Sequence, residues 1–288
     1  MKMDRRSFVK VAAGAAIGGM VGIACRKEAA LEEESQAAPA LRSLERIGVQ
    51  LYSVRYLMEQ DFAGTLAAVA AAGYDEVEFA GYFDKPAEEV RAILDGVGLD
   101  APASHVSIDA LRNDLAGTIA AAATVGHRYL VCPWIAEEER TLVGYQQIAA
   151  FFNEAGGACR EAGMRFGYHN HDFEFAAVDG RIPMELLIEE TDPELVDIEL
   201  DLFWIQKGGE DTLAYFERYP GRFSLCHVKD MTAEGEMVGV GEGQMDFAAI
   251  FARSEQAGLR HYFVEHDNPD DPLASITASQ DHLRALQF

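Results

Sequence analysis

The chain has 288 residues, 49% of them apolar, and carries 48 acidic against 24 basic side chains. That is enough for one large domain or two ordinary ones, with the composition of a globular protein. A net charge of −24 repels phosphate backbones and argues against a nucleic-acid partner.

The N-terminus differs from the rest. Asp4-Arg5-Arg6-Ser7-Phe8-Val9-Lys10 is a twin-arginine pattern. The Ala/Gly-rich run from Val11 to Ala24 is too short and too weakly apolar for an ordinary spanning helix. Residues 1–24 therefore read as an export signal for the twin-arginine machinery, which places the protein in the periplasm. Gly22-Ile23-Ala24-Cys25 is like a lipoprotein cleavage site, although Gly22 stands where Leu is usual. A lipid on Cys25 would anchor the chain to the membrane, facing the periplasm. Residues 25–45, with Glu32-Glu33-Glu34, read as a flexible linker. Beyond Cys25 only Cys132, Cys159 and Cys226 remain. Their odd number and lack of paired spacing suggest neither a disulfide framework nor a zinc–thiolate site.

From residue 46 onward one unit recurs: a short β-rich run, a helical stretch, a Gly, then the next run. The runs are Ile47–Ser53, Glu76–Ala80, Ala101–Val106, Tyr129–Trp134, Arg165–His171, Val196–Asp201, Phe223–Lys229 and His261–Glu265. Between them, helical spacing predicts helices over 61–72, 86–94, 145–162, 183–191 and 212–219. Alternating strands and helices imply parallel pairing with right-handed crossovers. Eight such units match a closed (β/α)8 barrel, a TIM barrel over 46–288, better than an open sheet. No Gly-x-Gly-x-x-Gly follows the first run, which weighs against a dinucleotide fold.

Such a barrel draws catalytic side chains from the C-terminal ends of its strands. Those ends carry Gln50 and Tyr52, Glu78, His105, Trp134, His169 and His171, Asp201, His227 and Lys229, and Glu265. Alternation puts Asp197, Glu199 and Asp201 on one face of their strand, and likewise His169 with His171, His227 with Lys229, and Glu265 with Asp267. Which face points inward is not fixed by alternation, and Glu199 is left without a role. Mixed imidazole and carboxylate donors suit a divalent ion: Mn²⁺, Zn²⁺, Co²⁺, Fe²⁺ or Mg²⁺.

Five segments together carry a resemblance: Tyr168-His-Asn-His-Asp-Phe-Glu174, Leu200-Asp-Leu-Phe-Trp204, His227-Val-Lys-Asp230, Val240-Gly-Glu-Gly243 and Val264-Glu265. The chain resembles the sugar phosphate isomerase/epimerase superfamily with the xylose isomerase-like barrel, from Ile47 to the C-terminus. The resemblance implies one divalent metal on His169, Asp201, His227 and Glu265. It implies a sugar isomerase or epimerase that removes a proton next to a carbonyl through a metal-stabilised enediolate. Ketose epimerases of the superfamily place a Glu at the fifth-strand position held here by His169. Losing one of two carboxylate bases raises a second expectation, a keto-sugar dehydratase or 3-keto-glycoside lyase like inosose dehydratase. A third is a carbohydrate-binding barrel without catalysis.

Within that frame Glu265, His171 and Lys229 are the candidate catalytic groups. Gln50, Glu78, His105, Trp134 and Glu174 are candidate substrate contacts, and His171 or Glu174 is a candidate for the missing acid/base. Lys229 reads equally as a substrate contact or an ion-pair partner of Asp230 or Glu265. Glu78 and His105 read equally as structural hydrogen-bonding groups, and Trp134 as a stacking surface or a rim residue. The Gly239–Gly243 loop reads as backbone free to approach a ligand. No Arg cluster marks a phosphate pocket, so a free sugar or glycoside is the expected small molecule. Self-association is left open.

Overall fold

A computed structural model describes residues 41–288; the expected export signal, the expected cleavage site and Cys25 lie outside the described residues. Eight parallel strands close into a barrel in which every strand pairs with its neighbours in chain order. They are Gly48–Gln50, Glu76–Phe79, Asp100–His105, Tyr129–Cys132, Arg165–His169, Val196–Asp201, Phe223–Val228 and His261–Val264. These are the eight expected runs, mostly trimmed at their ends. The first is cut shortest, because Leu51–Val54 turns at once into a 3₁₀ helix whose first free N–H, on Tyr52, is taken by the Gln50 side chain at 3.0 Å.

Several helices start where an acidic or hydroxyl side chain closes the first turn. Asp61 caps Phe62–Ala71, Asp114 caps Leu115–Val125, Thr141 caps Leu142–Glu161 and Asp271 caps Pro272–Ala285. Leu142–Glu161 lays Tyr145, Ile148 and Phe152 against the outer face of the fifth strand, where Phe152 meets the rings of Phe166 and Tyr168 at 5.1 and 5.3 Å. Gly156 permits that approach: a Cβ there would lie 2.6 Å from the Leu195 carbonyl oxygen.

The barrel interior is layered. At the end where strands begin, Glu76 accepts from His261 at 2.8 Å and from Arg46 at 3.2 Å, and Asp197 binds Arg165 and Ser224. Above lies an apolar plug of Ala103, Tyr129, Val131, Leu225 and Phe263, all buried. Gly48 makes room for it, since a Cβ there would sit 2.4 Å from the Phe263 ring. Above the plug the interior becomes mostly polar, with Gln50, Glu78, His105, His169, Glu199, Asp201 and His227 all turned inward.

The flexible linker expected to residue 45 does not extend over 41–45. Leu44 is buried, and Arg42 exchanges backbone hydrogen bonds with Phe288 at 2.7 and 3.0 Å. Arg42 and Phe288 share a cavity with Arg260 and Tyr262, at the start of the eighth strand. The first and last described segments thus close one another at the N-terminal end of the barrel. Composition marks 41–45 as polar; the two-stranded pairing with the chain's end is a long-range contact that composition does not carry.

Candidate metal centre and active site

Parallel register brings the polar side chains together. Asp201 of the sixth strand pairs with His227 of the seventh, His169 of the fifth with Glu199 of the sixth, and Gln50 with Glu78. The face shared by Asp197, Glu199 and Asp201 therefore points into the barrel, and the residue left unassigned by alternation, Glu199, stands at its centre.

Asp201 has two jobs. It ends its strand and caps the helix Leu202–Lys207, its Oδ1 accepting from the N–H groups of Phe203 and Trp204 at 2.9 and 2.8 Å. Asn170 Oδ1 accepts its backbone N–H at 3.0 Å. This fixes the carboxylate and leaves Oδ2 buried without an aligned hydrogen-bond donor. Around Oδ2 stand Lys229 Nζ at 3.1 Å, His227 Nδ1 at 3.8 Å and His169 Nε2 at 3.9 Å. His227 Nδ1 lies 2.7 Å from Glu265 Oε2, which also contacts Lys229 Nζ at 2.7 Å. Donor atoms of Asp201, His227 and Glu265 all fall within 4.8 Å of one another. A buried carboxylate oxygen with no aligned donor, beside an imidazole and a second carboxylate, is a donor set that fits a divalent ion.

The layer below is equally polar. His227 Nε2 lies 2.7 Å from Glu78 Oε2 and 3.3 Å from Glu199 Oε2. Gln50 Nε2 donates to Glu78 at 2.7 Å. His105 Nε2 reaches Glu199 at 2.8 Å and Glu78 at 3.3 Å.

Burial and neighbours set the charges. Burial alone would push the Glu265 carboxyl up, but Lys229 and His227 outweigh it and hold it well below the usual range. Burial likewise works against the Lys229 ammonium, yet Asp201, Glu265 and Asp267 keep it charged far above neutrality. Asp201 is pushed up to about 6 by burial, against Lys229 and His227. His171 is pulled down to about 3 by burial and by Lys229, so its imidazole is neutral at pH 7.

A cavity of about 530 Å³ opens above these groups. Its wall includes His105, Trp134, His169, His171, Lys229 and Glu265, all expected strand-end residues. Tyr52 and Asp267 line it as well. Asp267, which holds Lys229 Nζ at 2.8 Å, carried only a spacing signal two residues past Glu265. His171 lies beyond the strand, in the loop, with its ring perpendicular to Trp134 at 4.7 Å and stacked on Phe173 at 5.7 Å. Trp134 both lines the cavity and packs on that loop, with the Arg140 guanidinium 4.6 Å from its ring.

Three expectations are corrected. Glu174 is not on the cavity wall: the 3₁₀ turn Phe173–Phe175 folds it inward, where it binds the Tyr168 hydroxyl and accepts the His171 N–H at 2.8 Å. Its carboxylate holds the His171 backbone and faces away from the cavity. Gln50 and Glu78 are fully buried beneath His227 and bond to each other, so they support the site from below. The Gly239–Gly243 loop wraps Asp230, whose carboxylate accepts the N–H groups of Met231, Gly241, Gly243 and Met245 at 2.8, 2.9, 3.0 and 3.1 Å. That also removes Asp230 as a partner for Lys229.

A family model described as Xylose isomerase-like TIM barrel matches residues 66–286. Among curated proteins, inosose dehydratase from Lacticaseibacillus casei is 24% identical over 46% of this chain and 49% of its own length. Inosose dehydratase from Geobacillus kaustophilus is 22% identical over 73% of this chain and 80% of its own. The chain thus spans about half the length of the first of these relatives. A solved sugar phosphate isomerase/epimerase from Parabacteroides distasonis superposes with a TM-score of 0.74 at 26% identity, covering 87% of this chain and 97% of that one. The zinc-bound IOLI protein superposes at 0.67 with 13% identity, over 82% and 95% of the two chains.

Proposed function

Since the chain belongs to the xylose isomerase-like TIM-barrel family, we propose that it is a divalent-metal-dependent sugar isomerase or epimerase. It removes a proton next to the carbonyl of a keto-sugar or keto-glycoside. The observation that carries this reading is the convergence of Asp201, His227 and Glu265 beneath a sugar-sized cavity whose wall is formed in part by Glu265 and the charged Lys229. Zinc in the IOLI structure supports the metal, and the Parabacteroides relative supports the reaction class.

Asp201, His227 and Glu265 would hold the ion, with His169 at their edge, and the ion would supply Lewis-acid polarisation of the carbonyl. The chain's own groups do the rest. Glu265, kept ionised, accepts the proton. Lys229, kept charged by three carboxylates, donates to the oxygen that gains negative charge. His171, neutral and with Nδ1 buried and unpartnered, handles a proton from the fifth-strand side. Trp134 offers an apolar face for a ring.

A second reading, elimination of a β-hydroxyl or glycosyl group, is supported by His169 in the place of a carboxylate base and by the inosose dehydratase relatives. Both readings begin with the same proton removal. Incubation with ketoses, keto-inositols and 3-keto-glycosides in D₂O, with Mn²⁺, Zn²⁺ or Co²⁺, would separate them by NMR. Deuterium beside the carbonyl with a new stereoisomer supports isomerisation; loss of the β-substituent supports elimination. Absence of both exchange and β-substituent loss with every one of them overturns both readings and leaves a carbohydrate-binding barrel. Asp201→Asn is expected to lower exchange at least about a hundredfold. The twin-arginine pattern supports a periplasmic location, which cell fractionation tests.

A further inference from the structure

The polar interior has two levels, and among the described residues only the upper one contains a lysine. Lys229 Nζ stands 3.1, 2.7 and 2.8 Å from Asp201, Glu265 and Asp267. One layer down, Glu78 and Glu199 are completely buried, and among the described residues no lysine or arginine reaches either. Their neighbours are imidazoles. Two buried carboxylates with no permanent cation beside them are costly unless their imidazole neighbours take protons or an ion supplies positive charge.

The donors at that level also face inward without partners. His169 Nδ1 and Glu199 Oε1 are buried and unbonded, as is Glu78 Oε1. His169 Nδ1 lies 3.6 Å and His105 Nε2 2.8 Å from Glu199 Oε2. Donor atoms of His105, His169, Glu199 and His227 are all within 4.8 Å of one another. Metal–nitrogen and metal–oxygen bonds are about 2.0–2.2 Å, so donors this close can share one ion with small rotations. His227 already turns Nδ1 to the upper carboxylates and Nε2 to Glu78, which suits a ring that ligates above and donates its N–H below.

We infer that the barrel holds a second divalent-ion site, one layer beneath the first, formed by His105, His169 and Glu199 with Glu78 beside them. The imidazole-rich donor set suits Zn²⁺, Fe²⁺, Co²⁺ or Mn²⁺ over Mg²⁺ or Ca²⁺. It takes His169 from the upper ion, which keeps Asp201, His227 and Glu265. This site does not depend on the proposed reaction.

The test is ion stoichiometry on the full chain, loaded with Zn²⁺ or Co²⁺, dialysed, and measured by mass spectrometry. Wild type is expected to hold about two ions. Asp201→Asn and Glu199→Gln are each expected to hold about one, with different visible Co²⁺ spectra because different donors remain. If Glu199→Gln is unfolded by far-UV circular dichroism, His105→Gln replaces it, since His105 borders the cavity. One ion in wild type, lost in Asp201→Asn and kept in Glu199→Gln, overturns the second site. One ion lost in Glu199→Gln and kept in Asp201→Asn supports the lower site and removes the metal from the proposed reaction. No ion in wild type overturns both.

Discussion

Lys229 is the residue on which the upper site balances. Its ammonium is buried among Asp201, Glu265 and Asp267, and the first two are themselves almost wholly buried. Removing one partner of a buried ionic cluster costs about 3–5 kcal/mol, because the others are left uncompensated. Lys229→Met is therefore expected to lower the urea midpoint strongly in metal-free buffer. Saturating Zn²⁺ should restore part of it, since an ion brings replacement charge; an unchanged midpoint would contradict this account. The convergence of Asp201, His227 and Glu265 is legible in the sequence because each sits at a strand end beside a recognisable motif. Glu199 is not, because alternation relates it to Asp201 without saying which face is inside. Glu174 misleads for a different reason: it follows the motif in sequence, but a 3₁₀ turn carries it behind the wall.

At the scale of elements, the loop after the seventh strand is organised by one carboxylate. Asp230 accepts four backbone N–H groups, and a Cβ on Gly243 would fall 2.2 Å from its Oδ1. Charge-assisted hydrogen bonds contribute roughly 1.5–3 kcal/mol each and do not add fully. Asp230→Ala is expected to destabilise by about 3 kcal/mol and to speed amide exchange across 239–245. Gly243→Ala should act in the same direction while leaving Asp230 in place; normal protection in both variants would refute the assignment. The loop's glycines suggest open backbone to a reader of sequence, and the carboxylate eleven to thirteen residues away that fills the space is visible only in three dimensions. The strands, by contrast, follow directly from short apolar runs set between capped helices. Their ends are less legible, above all at the first strand, where Gln50 turns its side chain onto Tyr52 and starts a 3₁₀ helix.

For the whole molecule, acid sensitivity has a source outside the site. His127 is buried, with Nδ1 2.6 Å from the Ala101 carbonyl oxygen and Nε2 2.9 Å from the Tyr82 hydroxyl. Burial, with a smaller push from Arg91, lowers its pKa from 6.5 to about 4 against that backbone hydrogen bond. Its folded pKa is depressed, so the stability it contributes is complete above pH 6.5. That contribution is lost as pH falls toward 4, where the unfolded chain has taken a proton and the folded one has not. The effect is about 3 kcal/mol. Urea midpoints at pH 7.5 and 4.5 should differ less in His127→Gln than in wild type, whatever that variant costs at pH 7.5; an equal difference would rule His127 out.

The mutual closure of Arg42 and Phe288 has a practical corollary. Both ends of the described chain leave from the side where the strands begin, and the cavity opens on the other. A surface, resin or fusion partner attached at Leu41 or Phe288 starts from the back of the barrel. Immobilised by a tag placed directly before Leu41 or after Phe288, the protein should present its mouth outward and bind a sugar ligand as freely as it does in solution.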